Sequence, residues 1–266
     1  MLKKLLKYDF LASVRYLWMA WVALLGAATV SGLSTRLQSD SSYAGLAMVL
    51  TTMLILLLLL AVWVLTLVQV ILRFHTNLLK DEGYLMHTLP VHTWQLVLSK
   101  LLCGTAVLLL SALASALAAG VWAFCSNAIW DYGNAFQRIG AVFRFYGVYF
   151  DGWTTILLCC TWLVSAVSLI LNCYAALSLG QLANRNRILF AFLWFLGIRT
   201  AVKLLNTMIT IVTGLVSNAG MGVTNTNGVT FFMNTSSLTQ LIVKVLVGIA
   251  CFVITEEVLK RKLNLQ

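Results

Sequence analysis

The chain has 266 residues, 61% hydrophobic and 10% charged, with a mean hydropathy of +0.93; soluble domains carry about 25% charged residues, so a water-soluble globular enzyme is excluded. A single proline, Pro90, and 17 glycines exclude collagen-like and disordered classes. The net charge of +10 comes from basic residues lying mostly between apolar runs, and no basic segment interleaved with aromatics exists to read nucleic acid.

The predicted elements follow in chain order. Residues 2–15 form a roughly amphipathic helix, with Leu2, Leu5, Leu6 and Phe10 on one face and Lys3, Lys4, Lys7 and Arg15 opposite. Such a helix is expected to lie along the inner membrane interface. The start resembles a signal peptide, but the apolar stretch is too long for an h-region and GLSTRLQSD is a poor cleavage site, so it is read as retained. A spanning helix needs about 20 mostly apolar residues. Six stretches qualify, approximately Tyr16–Leu33, Ala44–Leu72, Leu101–Phe124, Thr154–Gly180, Ile188–Val216 and Leu238–Val258. The second contains LILLLLLAVWVL, which belongs in lipid. The expected fold is an all-α integral membrane protein with six transmembrane helices and an N-terminal amphipathic interfacial helix, a single permease-like domain over 1–266.

Orientation follows from Lys and Arg. With the N-terminus inside, twelve fall in inner segments and three, Arg36, Arg138 and Arg144, in outer ones. Both termini are therefore expected in the cytoplasm. The longest loops, about 73–100, 125–153 and 217–237, are each shorter than the 50 or so residues of a folded catalytic domain. The aromatics of 125–153, among them Trp130, Tyr132, Phe143, Tyr149 and Trp153, match an interfacial belt.

Enzymatic motifs do not emerge. There is no GxxxxGK[ST] phosphate loop, no HExxH and no GxSxG. His75, His87 and His92 share an inner loop, but their spacing does not set two of them on one helical face, so no metal site is assigned. The six cysteines fall mostly in apolar runs without a CxxC pair and are read as small buried apolar residues. Asn234-Thr235-Ser236 matches a glycosylation acceptor and is set aside, since so short a motif arises by chance.

Two features carry functional weight. The first is the inner loop FHTNLLKDEGYLMHTLPVHTWQLVLSKLL over 74–102, whose Leu78, Leu79, Leu85 and Leu89 are too apolar for free solvation. It reads either as an interfacial helix-turn-helix or as a docking element with apolar anchors inside a polar rim. Its candidate coupling residues are Asp81, Glu82, Gly83, Tyr84, Leu85, Thr88, Leu89 and Pro90.

The second is a stripe on the fifth span. Arg199, Lys203, Asn206, Thr210 and Thr213 fall at i, i+4, i+7, i+11 and i+14. Arg199 stands 11 residues past Ile188, about 16 Å along the axis. A central Arg or Lys costs roughly 2.5–3.5 kcal/mol to insert, and like charges at i, i+4 repel. Three explanations fit: the stripe lines a watery translocation path, it faces a partner subunit, or the helix breaks near Gly197. Lys244, nearer the outer end of the sixth span, is expected to snorkel.

The segment LLKDEGYLMHTLPVHTWQLVLSKLL resembles the cytoplasmic loop of ABC-2 type transporter permeases, in which an E-G turn precedes a leucine-rich stretch, a T-L-P and a lysine-bearing helix; Asp81, Glu82, Gly83, Thr88, Leu89, Pro90 and Lys100 match. YAALSLGQLANRNRILFAF at Tyr174–Phe192 resembles the inner turn between the fourth and fifth spans of Gram-positive permeases. The resemblance implies a bacterial cytoplasmic-membrane subunit, not itself an enzyme. It would export peptide, drug-like or amphiphilic cargo. It would pair with an identical or related second permease and with separate ATP-binding cassette subunits holding ATP and Mg. The inner loop would be the coupling helix, and 217–237 would dip back from outside. Rival readings are an ATPase-independent channel or carrier for anionic solutes, and a non-transporting scaffold or sensor.

Overall fold

The computed structural model describes residues 2–36, 42–76, 93–126, 152–182, 187–220 and 226–261. Six long helices make up this part: α1 (Leu2–Arg36), α2 (Ser42–Phe74), α3 (Thr93–Cys125), α4 (Gly152–Gly180), α5 (Arg187–Gly220) and α6 (Thr226–Arg261). Each contains a stretch long and apolar enough to cross a membrane, at Lys7–Thr35, Val49–Phe74, Trp94–Cys125, Gly152–Gly180, Ile188–Val216 and Asn234–Lys260. These coincide with the six expected spans. Helix is the natural solution, because an isolated helix satisfies its own backbone groups where lipid offers no hydrogen bonds.

The elements run longer than composition indicates. α1 is one helix from Leu2 to Arg36, without a break at Tyr16, so the basic N-terminal stretch and the first span are continuous. α5 is likewise uninterrupted through Gly197, which removes the helix break as an account of the charged stripe. Of the 217–237 segment, residues up to Gly220 extend α5 and those from Thr226 begin α6.

The chain divides into two compact units, one of Met1–Leu72 with Leu102–Ala141, the other of Arg73–Leu101 with Val142–Gln266. In unit 1 the core is built on Leu24, Ala28, Val62 and Ala118, with Trp21, Leu58 and Trp122 packed around them. Small residues at the crossings allow close approach where lipid supplies no hydrophobic drive for association. Gly32 marks the tightest point: a Cβ there would stand 2.5 Å from Cys125 Cβ and 3.0 Å from the Trp122 carbonyl. Gly26, with open space around it, has no such role.

A hydroxyl relay joins the three helices of unit 1. Thr66 Oγ1 donates to the Val62 carbonyl at 2.6 Å, so in its 2.9 Å bond with Ser111 Oγ it accepts. Ser111 in turn accepts from Trp21 Nε1 at 3.2 Å. The proton direction is thus Trp21 to Ser111 to Thr66 to a backbone carbonyl, since each hydroxyl has one proton to give. Gln69 Nε2 donates to the Ser13 carbonyl at 3.0 Å, a direct tie between α1 and α2.

Unit 2 is organised by α4. Ile170 through Ala176 are seven consecutive buried residues, a pattern that arises only where a helix is covered on every side. α6 packs most extensively on α4, with α5 second. A Cβ on Gly180 would stand 2.5 Å from Ala191 Cβ and 2.7 Å from its Cα, so glycine is what lets the end of α4 meet the start of α5. All six cysteines are unpaired.

Candidate functional site

The residues expected to form a coupling surface, Asp81, Glu82, Gly83, Tyr84, Leu85, Thr88, Leu89 and Pro90, lie outside the described residues. The chain on either side of them is described, and both flanks reach one residue of α4. Phe74, the last residue of α2, stacks on Tyr174 with ring centroids 3.9 Å apart and planes 11° from parallel. Tyr174 Oη donates to the carbonyl of Lys100, in the second turn of α3, at 3.3 Å. Phe74 is 0% exposed and Tyr174 1%. A buried phenol needs a partner for its hydroxyl, and here the partner is the backbone at the far flank of the loop. In the sequence Tyr174 heads the stretch Tyr174–Phe192 and nothing there assigns it a role. Its partners lie far away in the chain, so spacing carried no signal for the joint.

The α5 stripe is found in the middle of a helix that is little covered: 6% of its apolar stretch is buried, against 39% for α4. Arg199 and Lys203 are exposed, and among the described residues neither makes a hydrogen bond or ion pair. Asn206 is half-buried, and its Oδ1 has no partner among the described residues. The two threonines are turned inward chemically. Thr210 Oγ1 donates to the Asn206 carbonyl at 2.8 Å, and Thr213 Oγ1 is shared between the carbonyls of Ile209 and Thr210 at 3.0 Å. Their protons are committed to their own helix, as is common for helical Thr. The charged donors of the stripe are Arg199 and Lys203, and the Asn206 amide adds a neutral one.

Lys244 does not snorkel. Its ammonium donates to Ser165 Oγ at 2.6 Å, and Ser165 lies near the middle of α4. Ser165 passes its own proton to the Thr161 carbonyl at 2.6 Å. About two helical turns away, Cys251 Sγ donates to Asn172 Oδ1 at 3.1 Å, both residues buried. Neither Ser165 nor Asn172 was singled out by sequence reading, since each is paired with a residue of another helix.

No known protein family, curated protein or solved structure matches the chain.

Proposed function

We propose that the chain is the transmembrane subunit of an ATP-binding cassette transporter, similar in plan to ABC-2 type permeases and acting as an exporter. In this reading both termini face the bacterial cytoplasm, and separate ATPase subunits bind ATP and Mg and dock on the 74–102 loop. A second permease, identical or related, completes the assembly. The observation that supports it is the Tyr174 joint. Both flanks of the loop are tied to one buried aromatic of α4, so a displacement imposed on the loop is delivered to the core of unit 2. A solvated connector would have no use for such an attachment. Resemblance to the permease loop at Asp81-Glu82-Gly83 and Thr88-Leu89-Pro90 supports the same conclusion.

The decisive experiment is a mild-detergent pull-down of the tagged chain from its native membrane. A stoichiometric partner with a phosphate-loop motif is expected, and replacing Glu82 and Gly83 with bulky residues is expected to release it while insertion stays intact. A chain that returns without an ATPase, yet carries anions down a gradient in liposomes, would replace this reading with the channel or carrier. Normal function of an Arg199→Leu, Lys203→Leu variant would favour the scaffold.

A further inference from the structure

Unit 2 has a charge imbalance that a second copy of the chain cannot repair. From residue 152 to residue 255 the sequence holds no Asp or Glu, while Arg199, Lys203 and Lys244 lie along the spans of α5 and α6. The nearest acid on α6 is Glu256, 12 residues from Lys244, about 18 Å along the helix. In unit 1 the span of α1 holds one acid, Asp9, in its first turn, and the spans of α2 and α3 hold none. Among the described residues, an identical subunit therefore brings more cations to this depth and no carboxylate.

The hydrogen bonds within unit 2 do not neutralise the cations either. Ser165 accepts from Lys244 but is a neutral hydroxyl whose own proton is spent on Thr161. Among the described residues, Arg199 keeps all five of its N–H donors and Lys203 all three, and Lys244 keeps two beyond its bond to Ser165. Intramembrane charges left in this condition mark ion or substrate sites by default.

The apolar surroundings narrow the ligand. Ile188, Phe192 and Leu196 precede Arg199 at steps of four, four and three residues, on the same face of α5, and all three are exposed. One stripe thus runs from apolar side chains to cationic ones.

We propose that this stripe binds an anionic amphiphile, whose phosphate or carboxylate head sits between Arg199 and Lys203, one helical turn apart on the exposed face of α5, and whose chain lies along Leu196, Phe192 and Ile188. A guanidinium presents a planar fork that matches either head group bidentately, and the ammonium adds a point charge. The proposal names the cargo class for the transport reading and deepens it, but binding itself requires no ATPase. Loss of the ATPase partner and loss of the ligand are therefore separately visible.

The test uses the full chain in phosphatidylcholine nanodiscs, with spin-labelled phosphatidic acid and spin-labelled phosphatidylcholine as probes. Phosphatidic acid is expected to show an immobilised fraction and about tenfold tighter association, the magnitude of one or two charge-assisted hydrogen bonds. Arg199→Gln with Lys203→Gln is expected to abolish that preference. Arg199→Lys with Lys203→Arg is expected to keep most of it, which separates lost charge from lost fold. Millimolar inorganic phosphate is expected to compete weakly; full displacement by free phosphate would overturn the amphiphile. Equal association of both probes with the unmodified chain, or a preference unchanged in the Gln variant, would also overturn it. So would a native partner whose own intramembrane Asp or Glu cross-links to position 199.

Discussion

Unit 1 and unit 2 are both assembled from long apolar helices, and both carry polar side chains at mid-span. In unit 1 those groups are neutral and run head to tail, from Trp21 through Ser111 and Thr66 to a backbone carbonyl, so the chain of donors ends on an acceptor of the same unit. Its remaining unpartnered atoms among the described residues, Ser31 Oγ and Trp122 Nε1, carry no charge. In unit 2 the mid-span groups include the cations Arg199, Lys203 and Lys244, and the acids on the same spans, Glu256 and Glu257, stand near the C-terminal end of α6, 12 residues or more from Lys244. A closed neutral relay serves architecture, because nothing further is needed to satisfy it. An uncompensated cation in lipid requires something from outside the unit, which is why the functional proposals concentrate on α5.

Three sets of substitutions sharpen this contrast. The largest effect is expected at the joint of unit 2. Tyr174→Ala removes a fully buried ring stacked on Phe74 and should cost about 3 kcal/mol. It should be seen as a lower thermal midpoint of the purified protein in detergent, with uncoupling of any bound ATPase. Tyr174→Phe keeps the ring and loses one hydrogen bond, so its cost should be about 1 kcal/mol. Equal losses for the two variants would show that stacking is not what holds the joint.

A smaller effect is expected from steric wedges. Gly180→Ala puts a methyl against the backbone of Ala191, and Gly32→Ala puts one against Cys125 in unit 1; each should cost about 2 kcal/mol by forced separation of the helices. Gly26→Ala meets open space and should be neutral or slightly stabilising. The same thermal unfolding series decides the matter, and a Gly26 variant as unstable as the other two would discredit the close-approach argument.

The smallest expected change separates relay from ornament within unit 1. Ser111→Ala strands Trp21 Nε1 and should cost about 1 kcal/mol. Ser115→Ala, four residues along α3, removes only a bond to the carbonyl of its own helix at Ala112 and should stay within about 0.5 kcal/mol. Tryptophan emission from position 21, in a variant whose other tryptophans are replaced by phenylalanine, should shift in the first case and not in the second.

Sequence by itself determined the number of spans, their approximate limits and the presence of a charged stripe on the fifth. The physical reason is that lipid imposes a local requirement, about 20 apolar residues in a row, and helical periodicity converts spacing into a face. It left α5 open between a continuous and a broken helix, because Gly197 is compatible with either. The tertiary structure decided continuity. It also decided the fate of Lys244, whose acceptor Ser165 is 79 residues away, and the role of Tyr174, whose partners lie on two other helices. Such pairings depend on which helices adjoin and at what rotation. Packing sets both, through small residues such as Gly32 and Gly180 that admit close approach. No residue's own neighbours in the chain encode them.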